Sequence, residues 1–299
     1  MHTLPIQIPL WTDVQGRTES LVNVAQVPQR SPFRYPGGKT WLVPYIRAWL
    51  KSSSTPKVFV EPFVGGGIIS LTVAFEELAE HVVMAELDKH VSALWKTILS
   101  VDSEWLIERI LSFEMTAEAV QEELMRTPEC EREIGFQTLL RNRTCHGGIM
   151  APGSGVMKHG ENGRGIASRW YPKTLATRIR RIAEIRSRIT FLNTDGLALM
   201  QERASERDTA FFLDPPYTAG KNGKRAGRRL YACNELDHEA LFEIAKSLTG
   251  RFLMTYDVAD EIVEMANRSG FDVSTVSMKN THHAQMHELL ISQNFSWKK

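Results

Sequence analysis

The 299-residue chain is 42% hydrophobic, 24% charged and 9% aromatic, which fits one large globular domain or a core domain with an insert and excludes the disordered and fibrous classes. No apolar run approaches the roughly 20 residues that span a bilayer, and the opening MHTLPIQIPLWTD lacks the basic region and apolar core of a signal peptide, so no membrane partner and a cytoplasmic location are expected. The net charge of +1 is neutral only in sum, and three widely spaced cysteines outside any C-x-x-C pattern predict neither a disulfide framework nor a zinc site.

In chain order, residues 1–30 show no clear period and read as an amino-terminal extension. FRYPGGKT (33–40) follows, where Pro36, Gly37 and Gly38 predict a sharp turn with Tyr35 and Lys39 on either side. Short apolar strands then alternate with helical patterns. KVFVE, HVVMAE, ITFLN, TAFFLD, RFLMTY, FDVSTVSM and HELLISQ make seven candidate strands, and stretches of 3.6-residue period such as KHVSALWKTIL and DHEALFEIAKSL separate most of them. The alternation predicts an α/β fold with a mostly parallel, Rossmann-like sheet covered on both faces. The last strand is expected to run antiparallel, because no helix carries the chain back before it.

From residue 101 to 188 this rhythm breaks. Helical stretches and the glycine-rich loop CHGGIMAPGSGVMKHGENGRG, without a core strand, predict a mostly helical insert between the two parts of one domain, 31–100 and 189–299. Charge segregates in the same place. Residues 102–133 hold ten acids and three bases, whereas 141–188 hold eleven bases against Glu161 and Glu184. A second basic run, KNGKRAGRR (221–229), has five positive charges and no acid. Such runs are commonly no more than solvated surface, but two of them flanking one site suggest a polyanion, most simply nucleic acid.

Three motifs carry chemistry. In VFVEPFVGGGIIS (58–70) a strand ends at Glu61, and Gly65, Gly66 and Gly67 let the backbone pass beneath a ligand before a helix begins, as at the first turn of a doubly wound sheet. Glu86 ends the next strand, where an acid can hold a ribose diol. FFLDPPY (211–217) is the most specific. Pro215 and Pro216 stiffen the turn, so that the Asp214 carboxylate and the Pro215 carbonyl can accept two hydrogen bonds from one exocyclic amine, while Tyr217 offers a flat face to a purine. His282, His283 and His287 are close in sequence, but they fall in a strand-and-turn region without a nearby cysteine and are read as structural or exposed, with no metal expected.

FRYPGGK, VEPFVGGG, Glu86 after its strand, LNTDG and LDPPY, in this order, resemble the DNA adenine-N6 methyltransferases of the Dam (D12) type. RNRTCHGGI is similar to the family's entrance to the recognition region and HELLI to its terminal strand; the resemblance covers about residues 31–294. It implies S-adenosyl-L-methionine as methyl donor and double-stranded DNA as substrate, in a bacterial or phage-encoded protein. Tyr35, Gly38 and Lys39 would touch the cofactor, and the turn from Glu61 through Phe63 and Gly65 to Gly67 would lie beneath its methionine part. Glu86, where the family more often has Asp, would bind the ribose, and Asp195 the adenine ring. Asp214, Pro215, Pro216 and Tyr217 would receive a flipped-out target adenine. DNA contacts are expected from Arg141, Arg143, Arg164, Arg169 and Lys173 in the insert, and from Lys224, Arg225 and Arg228 in a loop (218–230) whose composition suggests a lid.

The middle loop departs from the segment associated with GATC readers, so the target sequence is not legible. An RNA adenine methyltransferase could use the same chemistry. A protein glutamine methyltransferase is disfavoured by Asp214 and the basic insert, a nicotinamide-dependent oxidoreductase by DPPY, and a non-catalytic DNA-binding regulator by the full set of catalytic positions. A cognate restriction endonuclease encoded elsewhere fits as a partner, and a monomer is the default.

Overall fold

All seven apolar runs join one sheet. The strands are β1 (Val58–Glu61), β2 (His81–Ala85), β3 (Ile189–Leu192), β4 (Thr209–Leu213), β5 (Arg251–Asp257), β6 (Asp272–Lys279) and β7 (Gln285–Ser292). This computed structural model describes residues 26–34, 38–145, 160, 163, 165–216, 236–279 and 285–298. The strand order is β3-β2-β1-β4-β5-β7-β6. The first five strands pair in parallel, and β7 runs antiparallel between β5 and β6, as the short connection before it predicts.

The period of two along each strand divides the core into two halves. Phe59, Val82, Met84, Ala210, Phe212 and Leu253 face one layer of helices, and Val60, Val83, Phe211, Leu213, Phe252 and Met254 face the other. The first layer holds α1 (Val43–Lys51), α2 (Ile68–Phe75) and α3 (Lys89–Leu99), and the second holds α8 (Gly196–Glu202), α9 (His238–Ser247) and α10 (Asp260–Arg268).

The interval predicted as a helical insert contains α4 (Ser103–Ser112), α5 (Ala117–Met125), α6 (Glu131–Thr144) and α7 (Pro172–Glu184). It is inserted in sequence but not set apart in packing. Leu106, Leu139 and Ile179 share the core of the first layer, and α6 meets α3 so closely at Gly135 that a Cβ there would stand 2.8 Å from Thr97 Oγ1 and 3.1 Å from the Ala93 carbonyl. Among the described residues no helix is long and apolar enough to cross a membrane.

The chain leaves β1 toward β2 and β3, then returns to β4 on the other side of β1. Connections that depart in opposite directions from two adjacent parallel strands open a crevice at their carboxyl ends.

Candidate active site

The floor of that crevice is the turn after β1. Gly65 and Gly67 have φ of 45° and 64°, a left-handed backbone that glycine adopts without steric cost. Gly67 has a second reason to lack a side chain, since a Cβ there would stand 2.7 Å from the Trp95 ring. Trp95, wholly buried on α3, donates its indole N–H to the Gly65 carbonyl at 2.9 Å. The Ser31 hydroxyl donates to the Gly66 carbonyl at 2.5 Å. The turn is therefore fixed by a helix on one side and by the arm of residues 31–34 on the other.

Glu61, expected beneath a ligand, is instead buried against α2. Its Oε2 accepts the Ser70 N–H at 2.9 Å and the Ser70 hydroxyl, so it ties the end of β1 to the first turn of the helix. Burial pushes its carboxyl up to about 8, against the opposing pull of the Ser70 hydrogen bonds. It shapes the turn rather than lining it.

Glu86, just beyond β2, accepts the Gly65 N–H on Oε2 at 3.1 Å and the Asp88 N–H on Oε1 at 2.9 Å. The group is half-buried, and desolvation raises its carboxyl to about 7. Asn193, after β3, donates to the Glu86 carbonyl at 2.8 Å. Two residues on, exposed Asp195 caps α8 by accepting the Ala198 N–H at 2.9 Å. Phe63 packs so closely on Gly196 that a Cβ there would lie 2.6 Å from its ring. Phe63, Glu86 and Asp195 thus gather at adjacent strand ends.

Across β1, Asp214 follows β4 directly. Its Oδ1 accepts the Thr255 hydroxyl at 2.8 Å and lies 3.1 Å from Lys39 Nζ. Lys39, only 3% exposed, also lies 3.4 Å from Oε2 of Glu288 on β7, which is 4% exposed. That second contact is an ion pair without hydrogen-bond alignment, since Glu288 Oε2 makes no hydrogen bond. Lys39 therefore answers protein carboxylates. Gly38 beside it is exposed, Pro215 is buried and Pro216 half-buried. Tyr35 and Tyr217 lie outside the described residues.

The basic residues divide into two kinds. Arg141 and Lys173 are exposed. Arg143 and Arg169, expected at a nucleic-acid surface, are 4% and 7% exposed: Arg143 donates to the Pro32 carbonyl, and Arg169 to the Cys145 carbonyl at 2.8 Å. They are scaffold, because a buried guanidinium is tolerated where backbone oxygens accept its hydrogens. Asn142, wholly buried beside Arg143, clamps the arm from both directions, accepting the Arg34 N–H at 2.8 Å and donating to the Arg34 carbonyl at 2.9 Å. Arg178 adds a bond to the Ser31 carbonyl at 2.8 Å. Arg164, Lys224, Arg225 and Arg228 lie outside the described residues, as do His282 and His283, while His287 pairs its Nδ1 with the Ser277 hydroxyl at 3.1 Å.

Sequence reasoning missed Trp95, Asn142 and Glu288. Trp95 shows only as one more apolar position in a helical stripe. Asn142 was overshadowed by the arginines around it. Glu288 has a signal, an acid opening the apolar run ELLI, but that pattern by itself specifies only a strand.

In chemical terms the crevice offers acceptors at Glu86 and Asp195 on one side of the glycine turn, and on the other a carboxylate whose orientation is set by a threonine and a buried lysine. A family model described as D12 class N6 adenine-specific DNA methyltransferase matches residues 35–281. No curated protein matches the chain. Solved structures similar to it include a candidate RNA methyltransferase from Pyrococcus horikoshii, 11% identical with a TM-score of 0.39, covering 87% of this chain and 85% of that one. An rRNA methylase from Streptococcus thermophilus is 9% identical with a TM-score of 0.34, covering 83% of this chain and 93% of that one. Likenesses this loose carry no argument, so the weight falls on the family match and the geometry.

Proposed function

The chain belongs to the D12 class of N6 adenine-specific DNA methyltransferases, and from that premise we propose that it moves a methyl group from S-adenosylmethionine to N6 of an adenine taken out of a short duplex sequence. The observation that carries this reading is the Asp214 carboxylate at the carboxyl end of β4, oriented by Thr255 and Lys39 at the edge of the crevice beside β1.

The residues fit the cofactor. Glu86 is oriented at the strand end by backbone N–H groups, where a carboxylate can accept from a vicinal diol, and Asp195 is exposed two residues beyond the Asn193 link to Glu86. The left-handed backbone at Gly65 and Gly67 shapes the turn between β1 and α2, and the bare Cα of Gly67 lets Trp95 pack against it. When bound, S-adenosylmethionine supplies a methyl group already activated on a sulfonium. The protein then has to place the amine and strengthen it as a nucleophile. Asp214 and the Pro215 carbonyl accept its two hydrogens, which concentrates lone-pair density on nitrogen. Residues 101–188 are proposed as the target-recognition insert, with Arg141 and Lys173 meeting the DNA.

The test is labelled methyl transfer from S-adenosylmethionine to unmethylated genomic DNA, followed by mapping of modified bases. Methylated adenine at one recurring motif supports the reading, whereas transfer to structured RNA and not to DNA moves the protein to the RNA class. Asp214→Ala is expected to lower the transfer rate by about 10²–10⁴-fold, the range of a positioned polar catalyst, with cofactor affinity by calorimetry within a few-fold. A variant that methylates DNA at the wild-type rate removes Asp214 from the mechanism.

A further inference from the structure

The transfer just described makes no use of the carboxylate on the last strand. Glu288 is almost completely buried, its register partner on β5 is Asp257, and Lys39 stands between it and Asp214, at 3.4 Å from one acid and 3.1 Å from the other. An apolar side chain in the middle of a sheet would be the less costly occupant, since burying a carboxylate is unfavourable unless a partner offsets it.

We propose that Glu288 is a positioning residue for methyl transfer: it divides the charge of Lys39 with Asp214, and the share it takes sets how strongly Asp214 accepts from the target amine. When Glu288 is ionised, Lys39 serves two carboxylates and Asp214 keeps most of its acceptor strength. When Glu288 is protonated, the lysine charge falls on Asp214 alone and competes with the amine for its electron density.

The surroundings place this change in a useful range. Burial raises the Glu288 carboxyl to about 7, with Lys39 pulling it down and Asp214 and Asp257 pushing it further up. Among the described residues, Lys39, Asp214 and Asp257 are the charged groups that act on it, and its register partner on β6 is the apolar Val276. Transfer is thus expected to slow as pH falls through about 7.

The inference rests on the assignment of Asp214 as the acceptor, and the experiment separates the two. Single-turnover methylation is measured at saturating S-adenosylmethionine from about pH 5.5 to about pH 9. The wild type is expected to lose about tenfold in rate across the acid limb, one unit of differential interaction. Glu288→Gln keeps the shape and an acceptor for Lys39 but fixes the neutral state, so it is expected to run at the low plateau at every pH with cofactor affinity unchanged. Glu288→Asp, which restores a carboxylate, is expected to regain the pH-dependent rise. Wild-type rates for Glu288→Gln at every pH, or a flat wild-type profile, overturn the proposal. If Glu288→Gln shows no folded melting transition, the wild-type profile and Glu288→Asp decide. An inactive Asp214→Ala beside a wild-type-like Glu288→Gln refutes the role of Glu288 alone, while an active Asp214→Ala, which has no side-chain acceptor oxygen left, refutes the acceptor assignment and this proposal with it.

Discussion

At the scale of single residues, the crevice contains acids whose charge the fold suppresses rather than uses directly. Glu61 is the clearest. Its folded-state carboxyl stands at about 8, far above the unfolded value of about 4.3, so the folded chain holds an extra proton between those pH values and loses stability as pH rises through that window. Glu61→Gln keeps an oxygen for Ser70 and removes the ionisation. Its melting temperature is expected to fall less than that of the wild type between about pH 5 and about pH 8, with a residual slope from Glu86 and Glu288. Thermal melts across that range decide it, and parallel curves for the two proteins would mean that Glu61 ionises without cost. Asp214, Glu86 and the glycine turn were legible in the sequence because each interrupts an apolar run with a residue that core packing does not call for. Glu61 was visible too, but its partner Ser70 was not, since only the fold brings the helix start back onto the strand end.

At the scale of elements, the strands and most helices follow from period alone, while the contacts that make them a site do not. The arm of residues 31–34 has no periodic signature, and its partners lie far along the chain. Asn142 reaches Arg34 across 108 positions, and Trp95 reaches Gly65 across 30. The same blindness explains Arg143 and Arg169, because a charge count cannot tell a guanidinium facing water from one satisfying buried carbonyls. Asn142 joins α6 to the arm, and the arm holds the glycine turn through Ser31. Asn142→Ala removes two hydrogen bonds to the Arg34 backbone, an expected loss of about 1–3 kcal/mol. Its effect should be concentrated on the cofactor, with KM for S-adenosylmethionine rising several-fold more than the Kd for DNA measured without cofactor. Equal changes in both would reduce the clamp to general stability.

At the scale of the whole molecule, charge is segregated within the inserted segment, where acids crowd residues 102–133 and exposed bases, among them Arg141 and Lys173, lie in 141–188. Each base that meets a phosphate adds about one unit to the slope of log affinity against log salt. Arg141→Ala and Lys173→Ala are therefore expected to lower that slope by about 1 each, with transfer at saturating DNA unchanged. A variant with the wild-type slope has lost no phosphate contact. The helical character of residues 101–188 was readable from the missing strands, but the packing of α6 onto α3 was not, because it turns on one glycine, Gly135, at the point of contact.

The position of β7 bears on how the protein is made. The last strand in the sequence is not at the edge of the sheet but between β5 and β6. A chain emerging from the ribosome can pair β1 to β5 and form the crevice, yet β6, already synthesised, has no neighbour in the sheet until β7 follows it. Lys39 and Asp214 wait as well, since Glu288 arrives on that strand. The nascent protein should thus assemble its cofactor crevice before its catalytic charge balance, with methylation competence appearing only as the final strand slots in and closes the sheet.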